Sequence, residues 1–419
     1  MLENRWRETA RNHAQELALH DATTGRSWTF SQLEAEADSA TAEAMDGIVF
    51  PQGRDVRFVL EVLRAWKAGL PCCPLEAGQA RPRFPRPGRE ISLLKLTSGS
   101  TGAPRMIALD TAQVAADADQ IVATMGLDPG SPNLGVLSMA HSYGFSNLVT
   151  PLLLHGIPIV LADSPLPEAV AAAAAPWRNL TLPAVPALWR TWHEAGTIPA
   201  NLRLALSAGA PLPLPLELAL LDQRGLKIHN FLGASECGGI AYDRSDLPRP
   251  DATCVGTPME GVAHSIDEDG CLVVTSPAVA TTYWPEPEDR LCGGSFHSSD
   301  LVSIDLDGLL RIRGRASEVI NVAGRKVLPG TVEQCLLTHP AVRDCLAFGL
   351  PDDPGRGEAV GLVYALREAV SESDLRAHLA SRVSGWEVPR RWWHRDELGV
   401  DARGKRSRTA WRDRLLAGA

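Results

Sequence analysis

Short apolar runs alternate with stretches of helical period through most of the chain. Ile91–Leu96, Gly156–Leu161, Leu202–Ser207 and Leu226–Phe231 are mostly apolar segments of strand length, and each leads into a loop rich in Gly, Ser or Pro. The alternation predicts an α/β fold with buried strands. Ligands in such sheets lie beyond the carboxyl ends of strands, where three of the richest loops fall: TSGSTGAPR (97–105), SAGAPLP (207–213) and NFLGASECGG (230–239). After about Cys254 the period changes. CLVVTS (271–276) and DLVSIDLDGLLRIRGR (300–315), turning at Asp307-Gly308, alternate apolar and polar side chains as antiparallel strands do. Past Arg315, Thr331–Leu337 reads as a helix, Cys345–Gly349 and Ala359–Ala365 as strands, and Ser371–Asp374 has the spacing of a capping box. Two domains are expected, 1–315 and 316–419.

Charge supports that division. Residues 316–419 hold 16 basic and 14 acidic side chains, net +2, so the remainder carries −11 of the overall −9. The acidic balance provides no general attraction to nucleic acid or to anionic lipid. The segment from Pro129 to Ala162 lacks Asp, Glu, Lys and Arg, but its His, Gly, Pro and hydroxyl residues argue for buried core rather than a membrane helix. The N-terminus is charged throughout, so export is not expected and a cytoplasmic location is. Eight cysteines form no CxxC pair or metal-ligand spacing, which suits a reducing compartment. With 419 residues there is room for an enzyme-sized core. The basic residues are lopsided, with 36 arginines against five lysines: Lys67, Lys95, Lys227, Lys326 and Lys405.

The most informative string is Thr97-Ser98-Gly99-Ser100-Thr101-Gly102-Ala103-Pro104-Arg105, directly after a predicted strand. Its two glycines let backbone N–H groups turn toward one point, its hydroxyls add donors, and Arg105 supplies a cation, as a triphosphate requires. The Walker pattern is not present. The string resembles the signature loop of the adenylate-forming superfamily, which includes acyl- and aryl-CoA ligases, carrier-protein adenylation domains and luciferases. Further stretches resemble that family's motifs in order: WTFSQLEAEADSA, VLRAWKAGLPCCPLE, MAHSYGFSN, SAGAPLP, NFLGASECGG, FHSSDLVSIDLDGLLRIRGR, INVAGRKVLPGTVE and RGKRSR.

The resemblance implies a large N-terminal α/β domain with a barrel-like β part and a small, mobile α+β C-terminal domain. The implied reaction joins a carboxylate to ATP, giving acyl-AMP and pyrophosphate, and then transfers the acyl group to a thiol. ATP and Mg2+ are the implied cofactors, with coenzyme A or phosphopantetheine as acceptor. Glu236 stands where the family holds magnesium, and Ser235 where it usually has Thr beside the α-phosphate. Gly209, Ala210 and Pro211 match the loop lining adenine and acyl group. Asn230, Phe231, Leu232 and Gly233 match the adenine segment, although Leu232 replaces the usual tyrosine. Asp300 corresponds to the ribose-binding aspartate and Arg315 to the arginine that assists it. Ser317 falls at the hinge position, where Asp or Lys is usual, and Gly324 where the pantetheine arm passes. Lys405, in a Gly-Lys pair, matches the lysine that reaches the carboxylate and α-phosphate. Gly399 and Asp401 stand where that lysine's loop usually has Pro and Thr.

His141, Tyr143 and Phe145 are expected to line the acyl pocket, His141 also taking part in catalysis. Relatives that activate amino acids place an aspartate at this point, so a hydrophobic monocarboxylic acid, fatty or aromatic, is expected instead. The net +5 run Pro389–Arg414 would meet the phosphates of coenzyme A or an acidic acyl carrier protein equally well. A second reading stops at acyl-AMP or passes it to an amine; a third is a nucleotide-binding regulator without turnover. Because members commonly exceed this length, a trimmed N-terminal domain is expected, with consequences for the pocket walls and for oligomer contacts, a homodimer among them.

Overall fold

In the computed structural model, residues 1–97, 105–351, 357–399 and 407–417 are described. They divide into two compact units, Met1–Ser265 with Val273–Ser298 and Leu306–Leu310, and Ile266–Leu272 with Ser299–Asp305 and Arg311–Ala419.

The first unit is built on parallel strands in the spatial order Ile228–Ala234, Leu202–Ser207, Leu180–Ala184, Asn133–Gly135, Ile159–Leu161, Leu17–Asp21. The central strands Leu180–Ala184, Asn133–Gly135 and Ile159–Leu161 are buried throughout, as expected where helices cover a sheet. Trp189, Trp192, Leu216 and Leu220 from two such helices pack with strand residues Leu182, Ala205 and Ile228. Parallel register aligns the strand ends. Ser207 lies opposite Asn230 and Ala184, so the segments that follow these strands emerge side by side. Gly238–Tyr242 then folds back antiparallel onto Ile228–Ala234.

The α/β class stands, but one predicted strand joins a different sheet. Ile91–Thr97 pairs antiparallel with Arg105–Asp110, whose other edge pairs with Thr282–Trp284. Only seven residues separate the two strands in sequence, and a parallel return needs a dozen or more. The following helix, Thr111–Met125, starts at a capping box in which Asp110 accepts from Ala112 and Gln113 N–H while Gln113 bonds back to Asp110 N–H. It stops at Gly126, in the left-handed region with φ of 59°.

In the second unit Val342–Pro351, Glu358–Leu366 and Arg391–His394 form a three-stranded sheet. Side-chain alternation supplies two cores. Cys345, Ala347, Leu362 and Tyr364 meet Val332, Leu336, Leu375 and Leu379 of the helices Pro329–Leu337 and Glu372–Ala380. Leu346, Phe348 and Val363 meet Leu398 and Leu415 on the other face. Ser371 caps its helix by accepting from Asp374 N–H. Among the described residues no helix is long and apolar enough to cross a membrane.

Candidate active site

Four segments of the first unit gather the expected side chains. Gly209, Ala210 and Pro211 follow the Leu202–Ser207 strand, and Gly209 takes φ of +84°, a conformation that side chains rarely adopt. Asn230, Phe231, Leu232 and Gly233 end the neighbouring strand, with Asn230 and Phe231 buried. Ser235 and Glu236 form the turn after it. The short helix Ser142–Gly144 runs into a π-helical turn, Phe145–Val149, an irregularity frequently found at functional sites.

Direct contacts join the Ser142–Val149 stretch to the Ile228–Ala234 strand and the turn after it. The Ser142 hydroxyl donates to Ser235 Oγ at 2.8 Å, and the rings of Tyr143 and Phe231 lie 5.9 Å apart. Gly144 is required here, since a Cβ would fall 2.0 Å from the Ser138 carbonyl oxygen. Phe145 is buried and Tyr143 half-buried. Burial pushes the Tyr143 hydroxyl well above its ordinary range, leaving a neutral phenol at pH 7.

Glu236 Oε1 accepts from the Tyr283 hydroxyl at 3.0 Å. Burial, and then the charge of Glu236, push the Tyr283 pKa up, so the donor is retained at neutral pH. The Glu236 carbonyl also accepts from Ala280 N–H at 2.8 Å, which ties the turn to the segment leading to Tyr283. Cys237, the next residue, is fully buried; burial together with the charges of Glu236 and Asp117 drives its thiol far from ionising, which excludes it as a nucleophile.

His141 Nε2 lies 3.2 Å from Glu76 Oε1, and the Ser138 hydroxyl donates to the same carboxylate oxygen. A carboxylate therefore stands beside the residue expected to line the acyl pocket, contributed from a distant part of the sequence. Arg105 is ion-paired with Glu288. Ser98, Gly99, Ser100, Thr101 and Gly102 of the expected phosphate loop, and Lys405, lie outside the described residues, as does the side chain of Thr97.

In the second unit the Arg315 guanidinium donates to Asp300 Oδ1 at 3.1 Å, joining the two residues expected at the ribose. Ser317 is exposed in the 3-10 turn Ala316–Glu318. Gly324 occupies the two-residue turn between Ile320–Val322 and Arg325–Val327, with φ of 51° at Ala323 and 82° at Gly324. This turn itself calls for glycine. Sequence reading passed over Glu76 and Tyr283; Glu76 ends a quoted motif and Tyr283 lies outside all of them, and their partners are 65 and 47 residues away.

The fold and these segments define the class of protein as an α/β protein with loops gathered beyond its strand ends, and comparison with known proteins gives its family. Residues 44–284 match the model of the AMP-binding enzyme and residues 331–405 that of the AMP-binding enzyme C-terminal domain. A probable 2-succinylbenzoate–CoA ligase of Mycobacterium tuberculosis is 31% identical over 318 residues, covering 72% of this chain and 78% of the relative. A feruloyl-CoA synthase of Amycolatopsis sp is 28% identical over 396 residues, 88% of this chain and 79% of the relative. The o-succinylbenzoate CoA synthetase of Bacillus subtilis, solved with its acyl-adenylate intermediate, superposes with a TM-score of 0.84 at 20% identity over 98% of each chain, a likeness of fold. The chain belongs to the AMP-binding enzyme family.

Proposed function

We propose that the protein is an ATP-dependent acid–thiol ligase. It activates a hydrophobic monocarboxylic acid to acyl-AMP with release of pyrophosphate, then transfers the acyl group to a pantetheine thiol, that of coenzyme A or of an acyl carrier protein. The observation that carries this reading is the contact of the Ser142–Phe145 segment with Phe231 and Ser235, on a strand paired in register with the one that leads to the Gly209 loop, in a chain of this family. The aromatic acids named for the two relatives favour an aromatic body for the substrate.

Each residue has a chemical task in this scheme. The segment Thr97 to Arg105 and Ser235 bind the phosphates, Gly209 to Pro211 and Asn230 to Gly233 hold adenine, and Asp300 with Arg315 holds the ribose. Tyr143 and Phe145 line the acyl pocket, and His141, polarised by Glu76, stands at its carboxylate end. Lys405, in the 316–419 part of the chain, supplies a compact ammonium to the carboxylate and α-phosphate as charge moves between them. Magnesium fits Glu236, whose second carboxylate oxygen is left by Tyr283. Among the described residues no group of three or more His, Cys, Asp or Glu is gathered, so its other ligands would be water and phosphate oxygens, as suits this cation. When bound, the ion offsets phosphate charge.

The test incubates the enzyme with ATP, magnesium and a panel of aromatic and fatty acids, with and without coenzyme A or carrier protein, while pyrophosphate and thioester are followed. Acid-dependent pyrophosphate release with thioester formation is expected. Release that never yields thioester would redirect the reading to an adenylate or amide product, and no release with any acid would overturn it. Lys405→Ala should lower pyrophosphate release by about 10²-fold, the scale of one lost transition-state contact.

A further inference from the structure

Two charged side chains inside the first unit have no part in the scheme above. Lys95 is 6% exposed and Asp117 3% exposed, and Lys95 Nζ lies 3.9 Å from Asp117 Oδ2. The carboxylate has further partners. Ser146 Oγ donates to Oδ2 at 2.5 Å, and Gly239 N–H donates to Oδ1 at 3.1 Å. Gly238 is pressed against the same group: its φ is +69°, and a Cβ there would fall 2.0 Å from Asp117 Oδ1.

The origin of these partners gives the cluster its meaning. Lys95 lies two residues before Thr97 on the strand that enters the expected phosphate loop. Gly239 follows Glu236 by three residues, at the exit of its turn. Ser146 adjoins Phe145 in the π-helical turn of the acyl segment. One carboxylate in the middle of the Thr111–Met125 helix is therefore bonded or paired to each segment that handles phosphate, metal and acyl group. Stability alone does not explain the arrangement, because a buried ion pair is commonly no better than well-packed apolar side chains of similar volume. A directional carboxylate does fix the register of the groups around it.

We infer that Asp117 and Lys95 are positioning residues for adenylation: Asp117 holds the Glu236 turn and the acyl helix in register with the phosphate-loop strand, and Lys95 provides the buried counter-charge that anchors that strand. The inference rests on the adenylation reading. Neither residue is assigned contact with substrate. Their effect is on the placing of groups that do touch it, where errors of about 1 Å cost on the order of 10²-fold in rate.

The test compares wild type with Asp117→Asn, Lys95→Met and the apolar pair Lys95→Met/Asp117→Leu, measuring thermal midpoint and the kcat and KM of acid-dependent ATP–pyrophosphate exchange. A purely structural pair predicts that the double variant regains activity together with stability. Positioning predicts that it regains the thermal midpoint while kcat stays about 10²-fold down. If the double variant does not fold, Asp117→Asn decides, with an expected loss in kcat of about tenfold at temperatures where circular dichroism shows it folded. A folded variant that keeps kcat within about threefold of an active wild type, where about tenfold to 10²-fold is expected to be lost, overturns this inference alone. A wild type with no exchange on any acid overturns the adenylation reading and this inference with it.

Discussion

At Glu236, the residue proposed to hold magnesium, the side-chain contact is supplied by a residue the local sequence does not mark. Gly-Ala-Ser-Glu is legible as a motif, whereas Tyr283 reaches it only because Ala280 N–H is bonded to the Glu236 carbonyl and Thr282–Trp284 pairs with Arg105–Asp110. A donor on one oxygen fixes which face of the carboxylate is left for a cation, and such supporting partners commonly carry about 10- to 100-fold in metal affinity. Tyr283→Phe is therefore expected to raise the magnesium concentration for half-maximal pyrophosphate release by roughly tenfold. A magnesium titration at saturating ATP and acid checks it, and an unchanged midpoint would show that the hydroxyl does not orient the ligand. The lysines show the same limit. Scarcity singled out five; Lys227 proves to be held by Glu217 at 2.5 Å and Asp243 at 2.6 Å, and Lys95 by Asp117, partners that composition could not name.

Among the elements, period and punctuation located strands and helices well, but not their neighbours. Leu202–Ser207 begins and ends where its apolar run does, and the Asp307-Gly308 signal separates Ser295–Ile304 from Leu310–Arg315. The antiparallel pairing of Ile91–Thr97 required the connector length to be weighed as well as the apolar run. Contacts between distant helices carry no local signature at all. His155 of Thr150–His155, Asp119 of Thr111–Met125 and Arg5 of Leu2–Asn12 meet with His155 Nε2 2.8 Å from Asp119 Oδ1 and Arg5 Nη2 2.7 Å from it. Burial holds the His155 pKa below its ordinary 6.5 although Asp119 pulls the other way. Burial tends to raise the Asp119 pKa, but Arg5 and then His155 outweigh it and hold the carboxyl below 3.8. Both depressions favour the native state at neutral pH. On acidification the His155 contribution goes first, as pH falls from about 6.5 toward the folded-state value and the unfolded chain takes up the extra proton; that of Asp119 is lost only below about 3.8. Between pH 7.5 and 5 the thermal midpoint of His155→Gln should fall less steeply than that of wild type, as scanning fluorimetry can measure. Coincident slopes would remove His155 from the account.

For the whole molecule, motif order made the family legible, because segments resembling the family's phosphate, metal, ribose and lysine motifs come in sequence even where single residues depart from pattern. Charge placement then bears on the acceptor. The chain as a whole is at −9, yet Pro389–Arg414 carries net +5, and Arg391 and Arg395 within it are exposed. Coenzyme A and an acidic carrier protein are both anionic, so a run of this kind should raise their local concentration through long-range attraction. Such attraction weakens as salt shortens the screening length, from roughly 14 Å at about 0.05 M to roughly 6 Å at about 0.3 M. The acceptor KM is expected to rise several-fold over that interval, while pyrophosphate release without acceptor stays nearly level. Arg391→Glu/Arg395→Glu should raise the acceptor KM at low salt and flatten its salt dependence, leaving the ATP KM close to wild type. Thioester formation measured against acceptor concentration at several ionic strengths makes the comparison; a wild-type KM indifferent to salt would reduce the basic run to a solvated face.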